Sequence, residues 1–192
     1  QISQEGQKQR DRERIRARIN VTATAHPRAN IIFGIASGSN NDPISSNQDL
    51  SGGFSDKSFW IDQAYFDWTT SIAGLKLQGG KMKNPFYAAG KNQMLWDHDL
   101  NPEGLAAQYA RKKGDGTLEV FANASMFWVQ ERGADKDSFL LGGQAGLHRT
   151  NGRFGMTAGV GLFSYTNAKG YAPYYDSANS FGNSVDAAKK YR

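Results

Sequence analysis

A strict alternation of charged and apolar residues near the start of the chain constrains its fold most. Arginines occupy every second position from Arg12 to Arg18, and apolar residues such as Ile15 and Ile19 lie between or beyond them. Successive side chains of a β-strand point to opposite faces, whereas in a helix these arginines would spiral around the whole cylinder. The alternation therefore predicts a strand over Arg12–Ala25 with one basic face and one apolar face.

Segments of the same kind recur along the rest of the chain. The predicted strands are Arg12–Ala25, Asn30–Gly38, Ser58–Thr69, Ala73–Met82, Gly104–Arg111, Thr117–Gln130, Phe139–Arg149 and Phe154–Tyr165. Several are longer than the five or six residues that are common in soluble sheets. Strands of about ten residues, tilted by about 40°, span about 25 Å, which is the height of a lipid-facing band.

The two faces of these segments differ in polarity. In Thr117–Gln130 one face is apolar, from Leu118 to Trp128, and the other carries Glu119 and Asn123. In Phe154–Tyr165 an apolar face opposes a face of small residues. This pattern is typical of a transmembrane barrel, with apolar residues outward and polar or small residues inward. Ser58–Thr69 carries polar residues on both faces, so its orientation stays open.

The connections alternate between tight and long. Tight connections are predicted at His26–Ala29, Thr70–Ile72, Lys112–Gly116 and Thr150–Arg153. Long or intermediate ones are predicted at Ser39–Lys57, Lys83–Glu103 and Glu131–Ser138. Outer-membrane barrels have short turns at one end and long loops at the other. We therefore expect an all-β, antiparallel transmembrane β-barrel, and a soluble β-sandwich that binds a ligand remains an alternative.

Composition and motifs narrow the function further. The chain has no cysteine, and its 18 acidic residues are interspersed among 23 Lys and Arg residues without a nucleic-acid-binding signature. It has three histidines and none of the common nucleophile, zinc-protease or phosphate-loop motifs. We expect a protein that is not an enzyme, holds no cofactor or metal, and binds no nucleic acid.

Basic and polar side chains on the predicted inward face are the first candidate site. These pore-lining residues are Arg12, Arg14, Arg16, Arg18, Lys76 and Gln78. Guanidinium groups facing lipid would cost about 2–4 kcal/mol each at the midplane, so a water-filled lumen suits them better. Such a ladder would focus the field in a narrow pore and favour anions. The alternative is that these residues only solvate the wall and pair with neighbouring acids.

An acidic run in the second long loop is the second candidate site. Asp97, Asp99 and Glu103 are predicted to fold into the lumen and oppose the arginines, forming a constriction. Two alternatives stay open. The carboxylates, with Asn101, could bind a hard cation through oxygen, or the stretch could be a solvated loop held by its prolines.

Three stretches of the chain resemble a known family. They are "SFWIDQAYFDW" (Ser58–Trp68), "KMKNPF" (Lys81–Phe86) and "LWDHDLNPEG" (Leu95–Gly104). Together with the arginine-rich strand and the loop Ser37–Trp60, they are similar to the putative-porin family of Gram-negative outer membranes. The resemblance is close from Arg10 to Tyr109 and looser beyond.

The resemblance implies an outer-membrane porin of about sixteen strands that assembles as a homotrimer. Its partners would be outer-membrane lipid and small hydrophilic solutes or ions. A barrel that acts as an adhesin, receptor or scaffold is the alternative. Residues 1–192 would then form about eight strands of one larger barrel domain. We expect an open sheet with edges at Arg12–Ala25 and Phe154–Tyr165.

Overall fold

The computed structural model describes residues 11–38 and 42–192. Residues 1–10 and 39–41, which belong to the predicted domain 1–192 and in part to the predicted loop Ser39–Lys57, lie outside the described residues. The strands are β1 (Arg14–Ile15), β2 (Arg18–His26), β3 (Ala29–Ser37), β4 (Gln48–Asp49), β5 (Phe59–Thr69), β6 (Leu75–Lys81), β7 (Glu103–Lys113), β8 (Leu118–Gln130), β9 (Ser138–Asn151) and β10 (Phe154–Tyr165). A 3-10 turn spans Ala89–Lys91.

Eight of these strands form one antiparallel sheet. Its order is β2-β3-β5-β6-β7-β8-β9-β10, so strands that are neighbours in the sheet follow one another along the chain. The prediction of an all-β, antiparallel fold is confirmed. β2 and β10 are the two edges, as expected, and no pairing joins them among the residues that the structure describes.

The first predicted strand is interrupted. The backbone N–H of Ala17 donates to the Ser37 hydroxyl oxygen at 2.8 Å, where a regular ladder would offer a carbonyl oxygen. The described residues that precede Ala17 do not belong to the large sheet. Arg14–Ile15 pairs with Gln48–Asp49 instead. The prediction of one continuous strand over Arg12–Ala25 is therefore wrong in its first part. The Ser37 N–H still donates to the Ala17 carbonyl oxygen at 2.8 Å, so this pair keeps one backbone bond of the ladder and is the last one before the strand is interrupted.

A β-bulge explains the strand whose orientation the sequence left open. In the pairing of β3 with β5, Gly34 lies opposite Gln63, but the next residue, Ile35, lies opposite Ile61. Asp62 is thus an extra residue, and it lies buried on the same face as Gln63, while Ile61 is exposed. The alternation changes phase at the bulge, so neither simple face of Ser58–Thr69 could be uniform.

The two faces of the sheet have different surroundings. The chain between β6 and β7, residues 82–102, packs against one face, here called the covered face, which carries Gln78, Phe127 and Leu140. The opposite face, here called the bare face, has large apolar side chains in the open: Ile19 is 60% exposed and Leu162 is 77% exposed. The remaining large apolar side chains of the bare face include Val21, Ile31, Phe33, Leu105, Met156 and Val160. Among the residues that the structure describes, the buried apolar core lies on the covered face of the sheet.

The core lies between residues 82–102 and the covered face. Its buried members are Met82, Phe86, Ala106, Phe127 and Leu140. Gly142 makes room for this packing, since a Cβ atom there would lie 2.5 Å from the ring of Phe86. A glycine in a strand interior often marks such a close approach.

The chain after β10 is irregular and packs at the end of the sheet where the long loops lie. The Tyr174 hydroxyl is hydrogen bonded to that of Ser138, at the start of β9. The Tyr174 ring also contacts the rings of Tyr165 and Tyr191. This contact holds residues 166–192 beside the long loops.

Candidate functional site

An aromatic cluster anchors the first half of segment 82–102. Phe86 lies edge-on to Phe163 at 4.8 Å and to Phe127 at 6.3 Å, measured between ring centroids. Trp96, from the second half of the segment, stacks on Phe86 at 6.2 Å. Aromatic pairs at these separations add about 0.5–1.5 kcal/mol each to their area burial. Phe86 therefore joins the segment to β8 and β10.

Amide side chains of the sheet bind the backbone of the same half. Gln144 accepts a hydrogen bond from the Tyr87 N–H at 2.8 Å and donates one to the Tyr87 carbonyl oxygen at 2.9 Å. Gln108 donates to the Pro85 carbonyl oxygen at 2.9 Å. Buried backbone groups outside regular structure need such partners. The sheet thus fixes the path of residues 85–87 across its covered face.

The second half of the segment reaches the arginines. Arg18 donates to Asp99 at 2.7 Å, and Arg16 lies 3.3 Å from the other Asp99 oxygen. The same arginines bond the first long loop, Arg18 to the Ser46 hydroxyl at 2.6 Å and Arg16 to Asn47 at 3.1 Å. Two loops that are distant in sequence therefore meet at one pair of guanidinium groups.

The two remaining arginines bind a different carboxylate. Arg14 donates to Asp49 at 2.9 Å, and Arg12 lies 3.9 Å from the same side chain. Both members of these pairs are well exposed, so solvent screens them. In the part of the chain that the structure describes, these four guanidinium groups form ion pairs with the carboxylates of Asp49 and Asp99.

Burial and charge act in opposite directions on Asp99, whose side chain is 14% exposed. Its burial disfavours ionisation, but the hydrogen bond and charge of Arg18, with the charge of Arg16, outweigh this effect. The pKa of Asp99 therefore lies below its ordinary value. A polar cavity of about 480 Å³ adjoins this contact, and Lys83, Asp97 and His98 also line it.

The other acidic candidates are placed differently. The Asp97 carboxylate accepts the backbone N–H of Asp99 at 2.7 Å and so shapes the turn. Glu103 begins β7 and pairs with Lys81 at 2.7 Å, on the side of the ladder that faces away from segment 82–102. The structure does not bring Glu103 to the arginines, because the residue follows the point where the chain rejoins the sheet.

The described residues do not supply the ligands that the hard-cation alternative needs. Across the described ranges, no group of three or more His, Asp or Glu side chains is placed to hold a metal ion. Asn101, its amide candidate, instead donates to Asp62 at 2.7 Å.

Lys76 and Gln78 lie on the covered face, as the arginine Arg18 does. Lys76 donates to Asp67 at 2.6 Å, on the neighbouring strand β5. Gln78 is buried, and its side-chain carbonyl oxygen has no hydrogen-bond partner in the part of the chain that the structure describes. Their roles in lining a pore stay predictions.

The sequence of the chain matches a known protein family. The family model described as "putative porin" matches residues 3–190, nearly the whole chain. The chain belongs to the putative-porin family. A search of curated proteins found no match. Within residues 11–38 and 42–192, no helix of this porin-family chain is long and apolar enough to cross a membrane.

Sequence reasoning missed several residues that position segment 82–102 in this porin-family chain. Phe86 and Gln144 are 58 positions apart in sequence, and no local pattern links them. The contact between Asn101 and Asp62, which is 3% exposed, depends on the bulge in β5. One signal was present: Gly142 interrupts the apolar start of the predicted strand Phe139–Arg149, where an aromatic ring from another segment can approach.

Proposed function

We propose that this chain forms part of the wall of a transmembrane β-barrel in the Gram-negative outer membrane. We propose further that the barrel is a porin for small hydrophilic solutes. The bare face carries this proposal. Monomeric soluble proteins rarely expose large contiguous apolar patches, and the bare face offers such a surface across the sheet, from Val21 to Leu162. Lipid is the natural partner of such a surface, as in outer-membrane barrels.

The arrangement of the connections supports the same proposal. At one end of the sheet the turns are short, as at residues 27–28 and 152–153. At the other end the connections at residues 38–58 and 82–102 are long. Outer-membrane barrels have short turns on the periplasmic side and longer loops outside. A soluble sandwich would need a second sheet to cover the bare face.

The channel is proposed to be biased toward anions. Segment 82–102 would narrow the lumen, and the two arginines that hold it, Arg16 and Arg18, share the single carboxylate of Asp99. A net positive field in a narrow pore raises the local concentration of anions. We further propose that the protein has no enzymatic activity, and that copies of it associate, as a trimer, in the membrane.

Conductance across a planar lipid bilayer tests the proposal. The purified protein should open ohmic channels, and its reversal potential in a salt gradient should show anion preference at 0.1 M salt or below. The variant Arg14→Ala/Arg16→Ala/Arg18→Ala should lose most of that preference. Arg153→Ala, at the short-turn end, is the matched control and should retain it. An unchanged permeability ratio in the triple variant would refute the anion bias.

One observation favours a second candidate, a barrel without transport activity. Segment 82–102 fills part of the covered face with an apolar cluster around Phe86, and a lumen closed in this way would not conduct. Protein that inserts into the bilayer, shown by protection of its bare face from proteases, but passes no current would favour this candidate over the porin.

A further inference from the structure

A second cavity lies on the covered face, away from the arginines. It has a volume of about 520 Å³ and lies beside Pro85–Tyr87, over strands β6 to β10. Its volume is within the range of small-molecule sites. We propose that this cavity binds a neutral polyhydroxylated ring, a mono- or disaccharide. The proposal rests on the proposed channel function in placing the cavity along the path of the solute.

Aromatic groups form one wall of this cavity. The rings of Phe121 and Tyr87 are 5.5 Å apart at an angle of 40° and line it together. Gly146 lies beneath Phe121, and a Cβ atom there would come within 2.4 Å of the ring. The glycine thus lets the Phe121 ring lie close to the sheet. A sugar ring has an apolar C–H face that suits such a surface.

Unused hydrogen-bonding groups surround the aromatic wall. The N–H₂ group of Asn123 donates to the side-chain oxygen of Gln144, and that of Gln108 donates to the Pro85 carbonyl oxygen. The side-chain carbonyl oxygens of Asn123 and Gln108 remain as acceptors. The Glu119 carboxylate also lines the cavity. Hydroxyl groups of a sugar could donate to all three acceptors.

The charged residues around the cavity favour a neutral ligand over a charged one. Lys76 also lines the cavity, with its ammonium group on Asp67, and it supplies N–H donors. In the register of the sheet, Glu119 lies between Lys112 on β7 and His148 on β9. An anion in the cavity would meet the Glu119 carboxylate, and a cation would meet the Lys76 ammonium group. Neither sign of charge predominates, whereas a hydroxyl group uses donors and acceptors alike.

Three sugars of matched shape test the proposal: glucose, glucosamine and glucuronate, which are neutral, cationic and anionic at pH 7. Their binding to the purified full chain is measured by saturation-transfer NMR in a zwitterionic detergent without a sugar headgroup. We expect glucose to bind with a dissociation constant in the millimolar range, about −4 kcal/mol, and more tightly than either charged analogue. No glucose binding at 100 mM, or equal or tighter binding of a charged analogue, would overturn the proposal.

Two variants locate the binding. Phe121→Leu keeps apolar volume but removes the aromatic face, and it should weaken glucose binding about tenfold. Phe66→Leu, an aromatic change on the bare face, is the control and should leave it unchanged. Glu119→Gln keeps the side-chain shape but replaces a charged acceptor by a neutral one, so it should weaken glucose binding a few-fold while strengthening glucuronate binding about tenfold.

The Glu119→Gln result decides the matter if Phe121→Leu fails to fold. Equal glucose affinity in Phe121→Leu and Phe66→Leu would contradict the site, as would an unchanged glucuronate affinity in Glu119→Gln. Binding in micelles does not require conduction. A chain that binds glucose but passes no current therefore contradicts the porin function alone, and one that conducts without binding glucose contradicts this site alone.

Discussion

The two ends of segment 82–102 are attached to the same face of the sheet by different forces. At the first end, Phe86 is buried among aromatic and aliphatic side chains, and the Tyr87 backbone is bound by the neutral amide of Gln144. At the second end, Asp99 is held by the charges of Arg16 and Arg18. Apolar burial responds little to pH, whereas an ion pair is lost when its carboxylate is protonated. One end is therefore fixed under most conditions, and the other depends on solution conditions.

The largest expected effect is at the apolar end. Phe86→Ala should lower the opening free energy of the Tyr87 amide by about 3–5 kcal/mol, because it removes a buried ring and leaves a cavity. Hydrogen exchange of the protein in micelles measures this quantity. Phe54→Ala, a fully exposed phenylalanine in the first long loop, is the control and should have no effect. A loss below about 1 kcal/mol would show that Phe86 is not the anchor.

A smaller effect is expected at the charged end. Asp99→Asn should lower the opening free energy of the Leu100 amide by about 1–2 kcal/mol, since hydrogen bonds to charged groups are worth about that much and both partners are partly exposed. The Tyr87 amide should keep its protection. If the chain forms the proposed channel, the variant should also raise its anion preference, because two guanidinium groups lose their counter-charge.

Asp97→Asn is the matched control for that variant. Asp97 accepts the backbone N–H of Asp99, and an asparagine carbonyl oxygen can accept it equally. The Asp97→Asn variant therefore removes one negative charge without breaking an ion pair among the described residues. If Asp97→Asn and Asp99→Asn raise the anion preference equally, the contact with Arg18 has no special role. If both amides lose protection together in either variant, the two ends are not independent.

The smallest effect concerns pH. The pKa of Asp99 lies below its ordinary value of 3.8, so the carboxylate stabilises the contact fully above that value. This contribution is lost only as the pH falls through the lower, folded-state pKa. The difference in anion preference between the native chain and Asp99→Asn should therefore stay constant from pH 7 to about pH 4 and disappear below. A difference that begins to shrink near pH 5 would contradict the lowered pKa.

Most of the sheet could be predicted from the sequence, because strand period and turn residues are local properties. The alternation in Thr117–Gln130 and the tight connection at Thr150–Arg153 lie within a few residues of the observed β8 and of the turn between β9 and β10. Prediction failed where a partner distant in sequence changed the ladder. The Ser37 hydroxyl interrupts the first strand, and the bulge at Asp62 changes the phase of β5.

The candidate site was predictable in part. The sequence suggested that acids of the second long loop would oppose the arginines, and the structure brings Asp99 to Arg16 and Arg18. It does not bring Glu103 there. Which acid of a loop reaches a given cation depends on the path of the loop, and that path is set by contacts such as those of Phe86 and Gln144.

The sequence by itself determined that the chain forms antiparallel strands with one apolar face, since a period of two fixes which side chains share a side. It also determined where the long connections lie. Only the tertiary structure decided that segment 82–102 covers one face and leaves the other bare, because this depends on whether a ring at position 86 finds a gap at Gly142. Such a fit between distant residues has no local signature, and it decides which face the chain itself covers and which face stays exposed.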